Sequence, residues 1–235
     1  MSLPTVGSDL WEKAVTATRE TPSLRAVERA GRSMHSVRRK TYHRGDLRNA
    51  LLRAALELVQ ETGSTHFSLR EVTERIGVTK PALYLHFADF DELLSTLCRE
   101  GFNAFSEVER QVMAKSSDPW ARLRALTRAY IHFAISNPGY FRIMFDSGLA
   151  DRPENIACAT GTFQLLVETI QELQGPGEAP FDQAIAVWAL MHGLAALMIS
   201  GRPGTVLSKP DRLARLEASV VGLIQGGLDL VCSAG

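Results

Sequence analysis

The sequence predicts an all-α fold of about nine helices, a tight three-helix unit followed by a larger helical body. Three observations predict it. Apolar residues recur at three- and four-residue spacing almost throughout, helix-starting and helix-stopping residues punctuate that pattern, and no alternating strand pattern or long repeat interrupts it.

Residues 1–43 are weakly patterned and rich in Ser, Thr and Arg, so they are expected to form a flexible basic arm with at most a short helix around Leu10 to Ala17. A start at Met34 would place residues 1–33 outside the natural protein. From Asp46 the pattern sharpens. Leu51, Ala55, Leu58 and Val59 stripe one helix, and Gly63 supplies a left-handed stop. Ser68 with Glu71 is a capping box that opens a second helix, whose stripe is Leu69, Val72 and Ile76 and which Gly77 closes. After Val78, Thr79 caps a third helix expected to run to Phe87. Asp89 with Glu92 then opens a long fourth helix to about Lys115. This assigns residues 44–94 to one domain, with a motif at 68–87, and residues 95–235 to another.

In the second domain, Asp118-Pro119 begins a helix that ends near Asn137-Pro138, and a shorter one covers Gly139 to Phe145. Asp151 and Glu154 bracket the start of a helix ending at Leu173. Gly175-Pro176-Gly177 separates it from an apolar helix starting near Phe181, and the last helix runs from Asp211 to about Val231. Ala184 to Ser200 is nearly all apolar, but it falls short of the ~20 residues a bilayer span needs and has His192-Gly193 in its middle. It is expected to be buried between other helices, with no membrane involved.

The hydrophobic fraction of 45% and charged fraction of 22% describe a globular protein. The net charge of zero conceals a gradient. Residues 1–44 sum to +5, residues 45–90 to −1 and residues 91–235 to −4. Arg32, Arg38, Arg39, Lys40 and Arg44 lie in a stretch without acid. Such asymmetry points to contact between one end of the molecule and an acidic partner such as nucleic acid. Cys98, Cys158 and Cys232 are scattered, so they signal neither a disulfide framework nor a zinc site. With no apolar leader at the N-terminus, the expected compartment is the cytoplasm.

The triplet at 46–90 has the build of a helix-turn-helix: two short helices, a Gly-Val turn at Gly77-Val78, and a second helix free to enter a major groove. Leu83 and Phe87 point inward on the third helix. Pro81 and Leu85 fall on the opposite side, flanked by Ala82 and Tyr84, an apolar surface that makes sense as one meant to contact something.

The run from Tyr42 to Leu94 resembles the DNA-binding domain of the TetR family of regulators, through Leu69-Arg70, Gly77, Lys80, Leu83-Tyr84 and His86-Phe87 at matching spacing. The resemblance implies a double-stranded operator as partner. Arg70, Lys80, Pro81 and Ala82 would approach base edges, while Tyr84, His86, Ser68, Thr79 and Arg44 would serve the same interface, chiefly at phosphates. Where the family usually places a Lys near the start of the fourth helix, this chain has Phe90. The basic arm from Arg38 to Arg44 is expected to offset that lost cation, by reaching into the minor groove.

The string VWALMHGLAALMISG, with Trp188 four residues before His192-Gly193, resembles the C-terminal domain type named for its Trp-His-Gly motif. The family implies an apolar effector pocket and a homodimer through the last two helices. Candidate effector contacts are Trp120, Tyr130, Phe133, Phe141, Met144, Phe163, Trp188 and His192, although aromatic and Met side chains serve equally as core. Gly193, Ala195 and Ala196 suit close helix approach.

The leading expectation is a repressor released from its operator by a small apolar effector. The alternatives are an activator, an effector-independent regulator or, in a different class, a small-molecule-binding helical protein. No paired carboxylates, metal-ligand spacing, phosphate loop or nucleophile motif is present, so no enzymatic activity, metal or cofactor is implied.

Overall fold

The computed structural model describes residues 44–174, 179–200 and 211–234, and every regular element among them is a helix. In chain order these are α1 (Arg44–Thr62), α2 (Leu69–Ile76), α3 (Lys80–Tyr84), α4 (Phe90–Met113), α5 (Pro119–Ser136), α6 (Pro138–Asp146), α7 (Pro153–Gln174), α8 (Ala179–Ile199) and α9 (Arg212–Ala234). The basic arm before Arg44 and the short helix expected near Leu10 lie outside the described residues.

The punctuation acts as the residue types dictate. Gly63 and Gly77 adopt left-handed φ values of 65° and 75°, which an L side chain resists. Ser68 Oγ accepts the Glu71 amide, and the Glu71 carboxylate returns to accept the Ser68 amide at 2.7 Å. Asp89 accepts the Glu92 amide at 2.8 Å, but Glu92 reaches back to the amide of Ala88 instead of Asp89. Asp118 caps α5 in the same way, with Pro119 in the first turn.

Two expectations about helix extent and burial are corrected. The third helix ends at Tyr84, not Phe87: the Leu83 carbonyl accepts the amides of both His86 (2.9 Å) and Phe87 (3.1 Å), tightening the chain so that Phe87 turns into the core. The apolar helix α8 is also longer and less buried than expected. Its stretch Pro180–Ile199 is long and apolar enough to cross a membrane by length and composition alone, and only part of it is buried. Ala184, Val187, Met191 and Ala195 face inward, whereas Ala186, Leu190, Gly193 and Leu197 face outward. The inward side packs on α5 and α7, and α9 lies against α5 and α8.

A continuous core runs from Leu83 and Phe87 through α1 and α4 to α6, α7 and α8. The boundary expected at residues 94 and 95 falls inside α4, which is buried from Leu93 to Cys98. Polar ties fix the elements around this helix. Fully buried Asn155 of α7 donates to Ser95 Oγ (3.0 Å) and to the Leu149 carbonyl (2.8 Å), and accepts from Arg99 (3.2 Å). Arg152 reaches Asp91 at 2.6 Å, and on the first unit Arg75 of α2 ties to Glu61 of α1 at 2.7 Å.

Removing the Asn155 amide leaves the Leu149 carbonyl without that donor and takes a partner from Ser95 and Arg99, which keep only Glu154 (3.3 Å) and Thr96 (3.4 Å) among the described residues. Asn155→Ala is therefore expected to lower the thermal midpoint by roughly 5–10 °C. Scanning fluorimetry checks this, and a fall within about 1 °C of zero would contradict the role assigned to Asn155.

Candidate nucleic-acid interface and effector cavity

A helix of five residues cannot sustain itself in water, so α3 depends on its anchors. Leu83 (0% exposed) and Phe87 (1%) are buried against α1, where the Arg48 guanidinium also covers the Phe87 ring at 5.1 Å. Val78 packs on the same core from the turn. With that side pinned, the other side is fixed outward: Lys80 and Pro81 are exposed, Tyr84 is 53% exposed and Leu85 69%. Ala82 and His86 are half-buried.

The remaining interface candidates sit around this head. Thr79 is exposed, and its hydroxyl makes no cap hydrogen bond. Ser68 is exposed at the start of α2 but its side chain is engaged with Glu71. Arg70 is exposed and paired with Glu74 at 2.6 Å, a surface pair of small energy that a base or phosphate can replace. Arg44 is the first residue of α1. Phe90, standing where a cation is usual, packs edge-on against Phe67 with centroids 4.9 Å apart, so it braces the start of α4.

A cavity of about 440 Å³ lies in the body. From α4 it is lined by Phe102, Phe105 and Glu109, from α5 by Leu126 and Tyr130, and from α6 by Phe145. Ile156, Thr162, Phe163 and Leu166 of α7, with Phe181, Ile185, Trp188 and Met191 of α8, complete most of the wall, and Asp151 lies at the exposed side. Of the eight candidate effector contacts, Tyr130, Phe163 and Trp188 line this space. Trp120, Phe133, Phe141, Met144 and His192 do not. Phe141 and Met144 are packed in the core, Phe133 tilts on Phe105, and His192 stands behind the wall, stacked on Phe141 at 5.0 Å.

The wall is held by a buried relay. Trp188 Nε1 donates to the Tyr130 hydroxyl (3.1 Å), which lies 2.7 Å from His192 Nδ1. Because the indole can only donate, the phenol oxygen accepts from it, and the phenol O–H is left to donate to the imidazole in the tautomer whose Nδ1 is unprotonated. Burial holds His192 below its ordinary range, so it is a neutral acceptor, and burial pushes the Tyr130 phenol up. The Trp-His pair read in the sequence therefore orients Tyr130.

Glu109 was not among the sequence candidates. In the run Ser106-Glu107-Val108-Glu109-Arg110 it reads as part of a solvated face. Its spacing from Phe102 and Phe105, seven and four residues earlier, is the signal that places it on the buried stripe. Its side chain is buried, has no hydrogen-bond or ion-pair partner among the described residues, and is pushed up to about 8 by desolvation.

The family comparisons follow this division. Residues 51–97 match the profile described as bacterial regulatory proteins, tetR family, and residues 123–221 match the tetracyclin repressor-like C-terminal domain. The chain belongs to the TetR family. This TetR-family chain is 32% identical over 132 residues to the HTH-type transcriptional activator FasR of Mycolicibacterium smegmatis, a match covering 52% of the chain and 60% of that relative. It superposes on a Rhodococcus protein of unknown function at a TM-score of 0.65 and 25% identity, covering 80% of this chain and 98% of the other. A tetR-family regulatory protein from Rhodococcus aligns at 0.59 and 17% identity, covering 78% and 98%. The fatty acid degradation regulator FadR from Bacillus halodurans aligns at 0.59 and 16%, covering 80% and 98%.

Glu109 binds its proton more tightly folded than unfolded. Stability therefore declines as pH rises from about 4.5 towards about 8 and is flat above. Glu109→Gln is expected to stabilise the TetR-family chain above pH 8, by an upper limit of about 5 kcal/mol, and to gain nothing at pH 4. Urea midpoints across that range check it. A difference independent of pH would contradict a desolvated carboxyl.

Proposed function

We propose that this protein is a sequence-specific regulator that binds operator DNA as a homodimer and whose occupancy is set by a small apolar effector in the body cavity. The observation that carries the reading is the exposed Lys80–Tyr84 face on a helix too short to exist for its own sake. Lys80 suits guanine O6/N7 or a phosphate, Pro81 and Ala82 suit a thymine methyl, and the Tyr84 hydroxyl suits a phosphate oxygen. Lys80 forms no ion pair among the described residues, so it is available. Ser68 and Arg70 at the start of α2 flank the same head.

Two copies are needed because paired half-sites require paired reading helices. The outward faces of α8 and α9 support this. Leu190, Leu197 and Leu223 are exposed beside small residues, and a side-chain carbon at Gly193, Gly222 or Gly226 would meet open space within one chain. A self-complementary face of Leu and Gly on two long helices suits close helix pairing. DNA contact and this burial together suit action in the cytoplasm.

Helix α6 connects the cavity to the head. Phe145 at one end lines the cavity, and Gly139 at the other lies so close to α1 that an added Cβ would meet Gln60 Cγ at 2.7 Å and Leu56 Cδ1 at 2.9 Å. An occupant that displaces Phe145 would thus move α1, and with it the anchor of α3. Release by the effector gives a repressor where the operator overlaps the promoter. The activator reading is favoured by the relationship to FasR, an activator. A reporter fused to the bound promoter, with and without the regulator, separates the two.

The test is a binding titration with the gene's own upstream DNA against a scrambled duplex. Wild type should prefer the upstream DNA at least about tenfold, and Lys80→Ala and Tyr84→Ala should each weaken it roughly 10- to 100-fold. Equal binding of both duplexes, or variants that bind as wild type does, would overturn the reading.

A further inference from the structure

Taking the cavity as the effector site, the charge of its wall narrows what the effector is. Glu109 and Asp151 line it, and no Lys, Arg or His does among the described residues. We propose that the effector is an apolar molecule carrying one cationic, substituted-ammonium head, which Glu109 receives inside an aromatic wall.

Three features carry this. Glu109 is 5% exposed and lacks any partner among the described residues, so a full hydrogen-bonding and charge capacity is spent on nothing inside the chain. Its carboxyl is left facing the cavity, where a bound cation would pair with it. Phe105 lies one turn before Glu109 on the same helix, and Tyr130, Phe163 and Trp188 line the same cavity. Ring faces attract ammonium groups, most strongly where water is excluded. Finally, the Tyr130 hydroxyl is already committed to Trp188 and His192, which leaves its ring as its contribution to the wall. Above pH 8, where Glu109 is ionised, a carboxylate head would bring a second negative charge beside it, with Asp151 also on the wall and no base among the described lining residues.

The groups facing Glu109 across the cavity set its response to pH. Among the described residues, Tyr130 of α5 and Asp151 ahead of α7 are the titratable ones, and the lining residues of α6 and α8 include none. Glu109 holds its proton up to about 8, so a cation of fixed charge must displace that proton at lower pH. Affinity should then rise up to about tenfold per pH unit from pH 6 towards 8 and level off above it.

The test uses the full-length chain and three ligands of one length: decyltrimethylammonium, decanol and decanoate, each below its micelle concentration. Isothermal titration at pH 8 should place decyltrimethylammonium at least about tenfold tighter than decanol, with decanoate weakest. Glu109→Gln should bring the first two within about twofold and flatten the pH profile. Decanoate binding as tightly as decyltrimethylammonium, or a preference that survives Glu109→Gln, overturns the inference and leaves the cavity as an effector site. Failure of all three to bind overturns the cavity reading as well.

Discussion

The burial of Leu83 and Phe87 is the constraint on which the rest depends. Five residues of helix carry too few internal hydrogen bonds to offset their own ordering, so α3 persists because its two apolar anchors are inserted into the core. Each consequence follows from that insertion. The chain turns at Gly77 because a left-handed residue there brings Leu83 back over α1. The helix stops at Tyr84 because Phe87 must enter the core next. Lys80, Pro81 and Tyr84 face outward because no other side remains.

The same core joins the head to the body. Helix α4 begins under the three-helix head and ends beside the cavity, so no flexible linker separates the two. Helix α6 is seated tightly at both ends. Gly139 permits its approach to α1, and Gly101 of α4 lies so near Met144 that an added Cβ would sit 2.8 Å from Met144 Sδ. In a close-packed region such contacts would transmit a proposed displacement as a switch between arrangements and not as gradual deformation. Phe145 of α6 packs directly on the Trp188–Tyr130–His192 relay, its ring centroid 6.1, 6.2 and 5.0 Å from theirs, so α6 and the relay form one continuous stretch of the wall.

Much of this was legible in the sequence, for a physical reason. Caps and left-handed stops are local chemistry: Ser68 with Glu71, Gly63 and Gly77 are decided within four residues, and each acts as its type requires. The extent of α3 was not legible. Periodicity carries a helix to Phe87, whereas the real limit is set by where the core lies. The cavity was only partly legible, because Tyr130, Phe163 and Trp188 look no different in sequence from Phe133, Phe141 and Met144, which became core. Glu109 was missed because its charge suggested water, and only its register with Phe102 and Phe105 shows its burial. The apolar character of α8 was visible, but whether its second face meets its own chain or a second copy is not encoded in one chain's pattern.

By its pinned side, α3 is proposed to fix a surface that reads base sequence. Selecting bound duplexes from a random library with the full-length chain tests it most directly. Enrichment of a two-fold symmetric site is expected, with half-sites spaced by whole helical turns of about 10 base pairs, and loss of that enrichment when Lys80 and Tyr84 are both alanine. Recovery of unrelated duplexes by wild type, or the same symmetric site from the double variant, would contradict it.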